Sequence, residues 1–317
     1  EFDLIRRHFS GLGRPRPDVV LGPGDDAAVV RPPDGRQLVL TLDTLVAGRH
    51  FPIDLPAADV GRRLLAVNLS DLAAMGAEPA WAILSVSIPD LDDAWLAGFA
   101  GGLGDLAGRY GVSVIGGDLV RGPLTVSAQL SGFAGPEPAL RRSGAGAGED
   151  IWVSGALGGA MAALEVGLGE VGVSQPGLYA RFACPEPRVA LGRRLAGLAT
   201  SAIDISDGLA ADLGPILEAS GVGAEIAAER VPVHPEAARL LPEARALELA
   251  LAGGDDYELC FTAPPDRAEA VLAAGAECGV PVSRIGHCRR GPGLTITQAG
   301  EPRILERAGW DHFEATF

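Results

Sequence analysis

The sequence contains no lysine, so all 26 basic residues of the 317-residue chain are arginines. A Walker-A P-loop is therefore excluded, because its Gly-Lys-Ser/Thr core requires lysine. The arginines are also outnumbered by 41 acidic residues, which gives a formal net charge of −15. Since nucleic acids are bound by positively charged surfaces, this balance argues against a nucleic-acid partner.

Cysteine is scarce, and long apolar runs are missing. The four cysteines form no Cys-x-x-Cys pair, which favours a reducing compartment; they are Cys184, Cys260, Cys278 and Cys288. No stretch approaches the roughly 18 apolar residues that are needed to cross a bilayer. Residues 1–9 have an amphipathic helical pattern and not that of a signal peptide. We therefore expect a soluble, cytoplasmic protein without a membrane partner.

Apolar periodicity predicts mixed helices and strands in the first half of the chain. Residues 37–43 alternate, with three leucines on one face and Thr41 and Asp43 on the other, which predicts a half-buried strand ending on a carboxylate. Residues 59–75 have helical spacing, and Asp71 lies on a different face from most of the apolar stripe. Because the strict βαβ rhythm of a Rossmann domain is absent, an α+β arrangement is favoured here.

A stretch rich in Gly, Pro, Ala and Arg, residues 135–149, indicates a linker before a second α/β unit. In that unit a short strand, residues 202–205, precedes a helix opened by Ser206-Asp207. This pair is typical of a helix N-cap. The free amides at such a helix start can also bind a phosphate.

Acidic side chains directly follow glycine in three places: Gly24-Asp25-Asp26, Gly116-Gly117-Asp118 and Gly253-Gly254-Asp255-Asp256. Asp204-Ile205-Ser206-Asp207-Gly208 is a fourth acidic cluster. Glycine allows sharp turns close to a ligand, and aspartate supplies the hard oxygen ligands that suit Mg²⁺. Each segment alone is also an ordinary turn. Together, the carboxylates would repel each other in one site unless cations were present, so the sequence predicts a phosphate-handling enzyme that uses metal ions.

No pattern indicates covalent catalysis or a general base. The chain has no Gly-x-Ser-x-Gly, no His-Glu-x-x-His and no cysteine beside an evident base. We therefore assign no catalytic nucleophile or base.

In combination, seven motifs resemble the thiamine-monophosphate kinase family, and the match runs over essentially the whole chain. They are Gly24-Asp25-Asp26-Ala27, Thr41-Leu42-Asp43-Thr44-Leu45-Val46 through His50-Phe51, Asn68-Leu69-Ser70-Asp71-Leu72-Ala73-Ala74-Met75-Gly76-Ala77, Ile115-Gly116-Gly117-Asp118, Arg142-Ser143-Gly144-Ala145, Asp204-Ile205-Ser206-Asp207-Gly208-Leu209 and Gly253-Gly254-Asp255-Asp256-Tyr257-Glu258-Leu259. The tail Gly309-Trp310-Asp311-His312-Phe313 extends the resemblance.

The resemblance implies a two-domain protein of the aminoimidazole-ribonucleotide synthetase superfamily. Residues 1–137 would form a mixed α/β domain that binds ATP and Mg²⁺ and forms the core of a homodimer. Residues 138–317 would form an α+β domain that completes the active site. The implied reaction is phosphorylation of thiamine monophosphate by ATP to give thiamine diphosphate, by direct in-line transfer assisted by several Mg²⁺ ions.

The same resemblance implies roles for individual residues. The metal ligands would be Asp26, Thr41, Leu42 (through its backbone carbonyl), Asp43, Asp71, Asp118, Asp204 and Asp207. ATP would contact Gly117, Asp118, Arg142 and Ser206, and thiamine monophosphate would contact His50, Asp255 and Trp310. Asp255 stands where the family often has glutamate, which shortens its reach by a methylene.

Three other functions stay open on the residues alone. The chain could be a different ATP-using member of the superfamily, of the aminoimidazole-ribonucleotide synthetase type. It could be a metal-dependent phosphohydrolase that attacks with water, or a nucleotide-binding dimer without catalysis. Selenophosphate synthesis is disfavoured because it would need a lysine near the amino terminus.

Overall fold

Contacts within the chain divide it into two units in this computed structural model, which describes residues 2–135 and 137–310. The first unit comprises Glu1–Leu72 and Ala77–Pro136, and the second comprises Ala73–Gly76 and Glu137–Phe317. Both units combine helices with a β-sheet.

The first unit contains six strands and two long helices. The strands are β1 (Val19–Leu21), β2 (Val29–Val30), β3 (Gln37–Val46), β4 (Glu78–Ile88), β5 (Ser113–Arg121) and β6 (Thr125–Ala134). A single helical turn, α1 (Phe2–Leu4), runs into a π-helical segment, Ile5–Phe9, and the long helices are α2 (Ala57–Ala74) and α3 (Asp93–Tyr110). Four strands form a mixed sheet of order β3-β6-β4-β5, in which only β4 and β5 are parallel.

Helices α2 and α3 pack closely because glycine occupies their crossing. A Cβ added at Gly61 would lie 2.2 Å from the Phe99 carbonyl, and one at Gly102 would lie 1.9 Å from the Ala58 carbonyl. Helix α3 is fixed at its start by Asp92, whose carboxylate accepts the N–H groups of two residues in the first turn. Leu64, Leu72 and other apolar side chains of α2 are fully buried.

The second unit is built on a seven-stranded sheet of order β13-β12-β9-β11-β7-β10-β8. Its strands are β7 (Asp150–Ser154), β8 (Ser201–Asp204), β9 (Gly223–Ala227), β10 (Leu259–Ala263), β11 (Val282–Arg289), β12 (Leu294–Gln298) and β13 (Glu301–Pro302). Its helices are α4 (Gly159–Val166), α5 (Leu168–Ser174), α6 (Pro176–Ala183), α7 (Val189–Leu195), α8 (Leu209–Ser220), α9 (Pro235–Leu240), α10 (Glu243–Ala252) and α11 (Ala268–Glu277). Strands β9 and β12 are parallel, and the other pairs are antiparallel.

One apolar core joins this sheet to helix α8. Leu209, Leu213, Ile216 and Leu217 of the helix pack with inward residues of the central strands, among them Ile151. Helix α8 ends at Ser220 and is capped by Gly221, whose left-handed backbone (φ 67°) suits glycine. Because α8 is fixed on the sheet, the loop that precedes it, residues 205–208, has a rigid support.

The two-domain fold with mixed helices and sheets is confirmed, but local details differ from the expectations. Strand β3 continues to Val46 and does not end at Asp43. Leu38, Leu40 and Leu42 lie on its exposed face, while Thr41 and Asp43 lie on the less exposed one. The N-cap residue of α8 is Gly208, and no side chain makes a capping hydrogen bond there. The prediction that Ser206-Asp207 forms the N-cap is therefore wrong. No helix among the described residues has the length and apolar character needed to span a membrane.

Candidate functional site

Two carboxyl groups of the first unit, those of Asp43 on β3 and Asp71 on α2, are joined by a hydrogen bond. The Thr41 hydroxyl, on the same strand face as Asp43, donates to Oδ2 of Asp71. Burial raises the pKa of Asp43 to about 7, and the charge of Asp71 adds to the shift. Near neutral pH, the pair therefore requires a proton or a cation between its carboxyl groups.

The donor atoms of this pair fit a hard divalent cation. Mg²⁺ takes one or two carboxylates in proteins and completes its shell with water and substrate phosphate. Across residues 2–135 and 137–310, no group of three or more His, Cys, Asp or Glu side chains is arranged to hold a metal ion. A cation held by Asp43 and Asp71 would have further positions for water and for substrate phosphate oxygens.

Asp118 does not lie beside this pair, although both belong to the first unit. The strand register aligns Asp118 of β5 with Ser85 of β4, which is aligned with Ser127 of β6 and Thr44 of β3. Neighbouring residues in a register share a face, and Thr44 is next to Asp43 in the strand. Asp118 is consequently exposed on the face of the sheet opposite to Asp43.

The remaining expected residues of the first unit have varied settings. Leu42 is exposed on the same face as Asp118, and Asp26 is exposed in a bend, where its N–H donates to Oδ1 of Asp25 at 2.8 Å. Gly117 is required by packing, since an added Cβ would lie 2.4 Å from the Leu84 carbonyl oxygen. Close packing therefore explains glycine at position 117 by itself, apart from the ATP contact that we expected there.

His50 has a defined hydrogen-bonding state. Its ring Nδ1 accepts the backbone N–H of Val46 at 2.9 Å, while the backbone N–H of His50 donates to the Val46 carbonyl at 2.9 Å. Because Nδ1 is an acceptor, the neutral ring carries its hydrogen on Nε2. His50 can therefore offer Nε2–H as a donor to an anion.

In the second unit, the loop between β8 and α8 is held by a side chain that the sequence reasoning did not single out. Oδ2 of Asp212 accepts the N–H groups of Ser206, Asp207 and Gly208 at 2.9, 2.9 and 3.0 Å. The amides at this helix start, which we expected to be free for a phosphate, are thus engaged by the protein. Burial raises the pKa of Asp212 to about 6, although the three amides oppose the shift. An acidic residue in the first turn of a helix was the signal available in the sequence.

The segment around Asp255 is tied to the same loop. The Asp255 N–H donates to the Ser206 carbonyl at 2.8 Å, and the Tyr257 N–H donates to the Ile205 carbonyl at 2.8 Å. Asp255 and Tyr257 have left-handed backbones (φ 67° and 50°), which is uncommon for residues other than glycine. The hydroxyl of Tyr257 also donates to Asp255 at 3.1 Å. Such strain, held by neighbouring hydrogen bonds, is typical of functional segments.

Trp310 also contacts this loop through its backbone. Its N–H donates to the Asp207 carbonyl at 2.9 Å. A Cβ added at the preceding Gly309 would lie 2.5 Å from the same oxygen, so glycine is needed for this approach. The rest of the tail motif, residues 311–313, lies outside the described residues. The structure thus brings Ser206, Asp207, Asp255 and Trp310 together.

A cluster of charged side chains around the buried Glu258 is linked to the segment that contains Asp255 and Tyr257. Glu258 is fully buried, and its carboxylate accepts from Arg188 (2.5 and 2.6 Å), Arg181 (3.0 Å) and the Ser154 hydroxyl (2.6 Å). The hydrogen bond from Arg188 and the two arginine charges lower the pKa of Glu258 against the effect of burial. Arg181 also donates to the Asp256 carbonyl at 2.9 Å, which links the cluster to the segment itself. Sequence reasoning missed this cluster because its members are far apart in the chain.

Two further residues that we expected in the site, Asp204 and Arg142, are close to strand β8 and helix α8, which flank the loop of residues 205–208. Asp204 is buried at the end of β8, directly before it. Arg142 is exposed, and the loop that follows it is held by Ser220 of α8, whose hydroxyl accepts the N–H groups of Gly144 and Ala145 at 3.1 Å.

Comparisons with known proteins identify the family to which the chain is similar. The family models described as AIR synthase related protein, N-terminal domain and C-terminal domain, match residues 24–134 and 146–298. The thiamine-monophosphate kinase of Escherichia coli K12 is 44% identical over 318 residues, which cover 99% of this chain and 98% of the relative.

Solved structures give the same result. A thiamine-monophosphate kinase from Stenotrophomonas maltophilia superposes with a TM-score of 0.85 at 42% identity, covering 95% of this chain and 96% of that one. AaThiL complexed with AMPPCP and TMP superposes with a TM-score of 0.78 at 31% identity, covering 98% and 96%. The chain belongs to the thiamine-monophosphate kinase family of phosphotransferases.

Proposed function

We propose that this protein transfers the γ-phosphoryl group of ATP to thiamine monophosphate, giving ADP and thiamine diphosphate. The relatives at 42–44% identity carry the name of that activity, and a more distant one was solved with AMPPCP and TMP. The observation that carries the proposal is the Asp43–Asp71 carboxyl pair with its raised pKa, a pair suited to a divalent cation.

The chemistry needs charge neutralisation and alignment more than it needs a base. The acceptor is a phosphate oxygen that is largely ionised at neutral pH, because the second pKa of a phosphomonoester is about 6. Bound Mg²⁺ ions would neutralise and clamp the two phosphates for in-line transfer. On the protein side, Asp26, Asp43, Asp71, Asp118, Asp204 and Asp207 would hold these ions, together with Thr41 and the backbone carbonyl of Leu42.

Thr41 supports this role because its hydroxyl orients the Asp71 carboxylate toward Asp43. Gly117, Asp118, Arg142 and Ser206 would bind ATP. The exposed guanidinium of Arg142 suits bidentate binding of a phosphate in a chain without lysine.

His50, Asp255 and Trp310 would bind thiamine monophosphate. His50 would donate its Nε2–H to the phosphate, since its Nδ1 accepts the backbone N–H of Val46. Asp255 is a candidate for the cationic thiamine moiety, and the Trp310 ring is suited to stack on it.

The exposed face of the first unit's sheet supports a homodimer. Leu38, Leu40, Leu42, Ile83 and Val120 share this face and are 46, 62, 64, 42 and 45% exposed. Single exposed leucines are common, but several large apolar side chains exposed on one sheet face, here interspersed with Ser85, Ser127 and Gln129, favour an interaction surface. We propose that a second copy covers it, with C2 symmetry, in a cytoplasmic enzyme. Asp118 lies on this face, so dimer formation would change its surroundings.

A coupled ADP-release assay with a panel of phosphorylated acceptors tests the reaction. We expect strong turnover with thiamine monophosphate alone, and loss of most of it in Asp43→Asn and Asp71→Asn. Asp18→Asn is the matched control, because Asp18 is a half-buried carboxylate of the same unit that already pairs with Arg16. ADP release that needs no acceptor would replace the proposal with a phosphohydrolase, and preference for another acceptor would refute the substrate.

A further inference from the structure

The loop of Ser206, Asp207 and Gly208, here named the SDG loop, has its backbone N–H groups directed to one atom. Oδ2 of Asp212 accepts all three, at 2.9, 2.9 and 3.0 Å, from a side chain that is only 7% exposed. Asp212 also belongs to the first turn of α8, and its own N–H donates to the Gly208 carbonyl at 2.9 Å. The loop and the helix are therefore locked to each other in both directions.

The carbonyl groups of the SDG loop are fixed as well. The Ser206 carbonyl accepts from the Asp255 N–H at 2.8 Å, and the Asp207 carbonyl accepts from the Trp310 N–H at 2.9 Å. Gly208 has a positive φ of 126°, and an added Cβ there would lie 2.9 Å from the Ala252 backbone. The loop consequently has little freedom to shift while Asp212 keeps its three hydrogen bonds.

We propose that Asp212 is a positioning residue for phosphoryl transfer: its Oδ2 fixes the SDG loop so that the Ser206 and Asp207 side chains meet the metal–nucleotide complex. This inference rests on the proposed function, which assigns Ser206 to ATP and Asp207 to a metal ion. Asp212 acts through these two residues and contacts neither ligand. What matters is the place of the acceptor oxygen and not the charge of the side chain.

Because Oδ2 of Asp212 accepts the three loop amides, these amides do not bind a phosphate. Three successive N–H groups at a helix start form an anion site in many nucleotide-binding proteins. Here the protein's own carboxylate occupies them, so the nucleotide is left to side chains and metal ions. The absence of lysine from the chain is consistent with that solution.

Two substitutions separate position from charge. Asp212→Asn keeps an acceptor oxygen in place without the charge, whereas Asp212→Glu keeps the charge and moves the oxygen by a methylene. We expect hydrogen exchange of the three loop amides, followed by NMR in metal-free protein, to stay within about threefold of wild type in the Asn variant and to rise about tenfold or more in the Glu variant.

Binding of Mn²⁺ with AMPPCP, followed by the EPR signal of free Mn²⁺, should follow the same order. The Glu variant should bind about tenfold more weakly, and the Asn variant should bind within about threefold of wild type. In turnover, the KM for ATP should rise in the Glu variant while the KM for thiamine monophosphate changes less. Asp150→Glu is the matched control, since Asp150 is also 7% exposed in the second unit but pairs with Arg284 on the sheet.

The reverse order, with binding lost in Asn and kept in Glu, overturns the proposal, as does equal binding by both variants. If the Glu variant does not fold, a folded Asn variant with weakened Mn²⁺–AMPPCP binding still overturns it, and one with wild-type binding and amide protection supports it. Failure of wild-type protein to phosphorylate thiamine monophosphate would refute the proposed function instead, because exchange and Mn²⁺ binding do not depend on turnover.

Discussion

Replacing Asp43 by asparagine should stabilise the metal-free protein at alkaline pH while it removes activity. Folding raises the pKa of Asp43 from 3.8 to about 7, chiefly through burial and next through the charge of Asp71. The folded state thus retains a proton that the unfolded chain loses, and stability falls as the pH rises from about 4 to about 7. Above about pH 7 the folded state bears the full free-energy cost of two charged carboxylates side by side, and below about pH 4 this cost is absent.

The magnitude follows from the pKa difference. A change of about 3 pKa units has a ceiling of roughly 4 kcal/mol at about 1.4 kcal/mol per unit. Partial exposure and the local effective dielectric reduce this to an expected gain of about 1–2 kcal/mol for Asp43→Asn at pH 8. For domains of this size, such a gain corresponds to roughly 2–8 °C in Tm. The asparagine amide can also donate to Asp71.

Thermal unfolding in EDTA at pH 5 and pH 8 measures this effect. The variant should melt higher than wild type at pH 8, and the difference should shrink at pH 5. Added Mg²⁺ should raise the Tm of wild type and leave the variant nearly unchanged, because a ligand stabilises only the state that binds it. Asp18→Asn should instead melt lower at pH 8, since the hydrogen bond from Arg16 lowers the pKa of Asp18. A lower Tm for Asp43→Asn at pH 8, or a gain equal at both pH values, would refute the reasoning.

Other substitutions test the ion cluster around Glu258, the proposed dimer interface and the left-handed backbone at Asp255. Glu258→Gln should cost about 3–5 kcal/mol in urea unfolding, because it removes the buried carboxylate charge that both Arg181 and Arg188 contact; a loss below about 1 kcal/mol would contradict this. Leu40→Glu should shift the protein from dimer to monomer in light scattering, whereas Leu272→Glu, at an exposed position of the second unit, should not; two dimeric variants would argue against the interface. Asp255→Gly should relieve a left-handed backbone, hold stability within about 1 kcal/mol of wild type and raise the KM for thiamine monophosphate, and an unchanged KM would remove Asp255 from the substrate site.

The parts of the fold that local patterns determine could be predicted from the sequence. The alternation around Thr41 and Asp43 predicted the strand, and helical spacing predicted α2 nearly to its ends. Helical spacing also placed Asp71 off the apolar stripe of α2, and its carboxyl group contacts Asp43 and Thr41; its role as a metal ligand came from the family resemblance and stays a prediction. These features depend on periods of two and 3.6 residues, which a single sequence displays directly.

Features that depend on tertiary contacts could not be predicted in the same way. The leucine face of β3 was not predicted to be the exposed one, because alternation shows that two faces differ and not which face is covered. The three hydrogen bonds of Asp212 were missed because a side chain in the first turn can point either to solvent or back to its own loop. The Glu258 cluster joins residues about 70 positions apart, a separation at which local patterns carry no information.

The hydrogen bond from Trp310 to Asp207 has a consequence for the order in which the protein is made. Ribosomes release the chain from its amino terminus, so the peptide of Asp207 is synthesised long before its partner amide exists. A nascent chain whose seven-stranded sheet has folded still lacks the hydrogen bond to the Asp207 carbonyl until Trp310 has left the ribosome. Proteolytic trimming or a bulky fusion placed just before this residue would therefore disturb a loop that lies far away in the sequence.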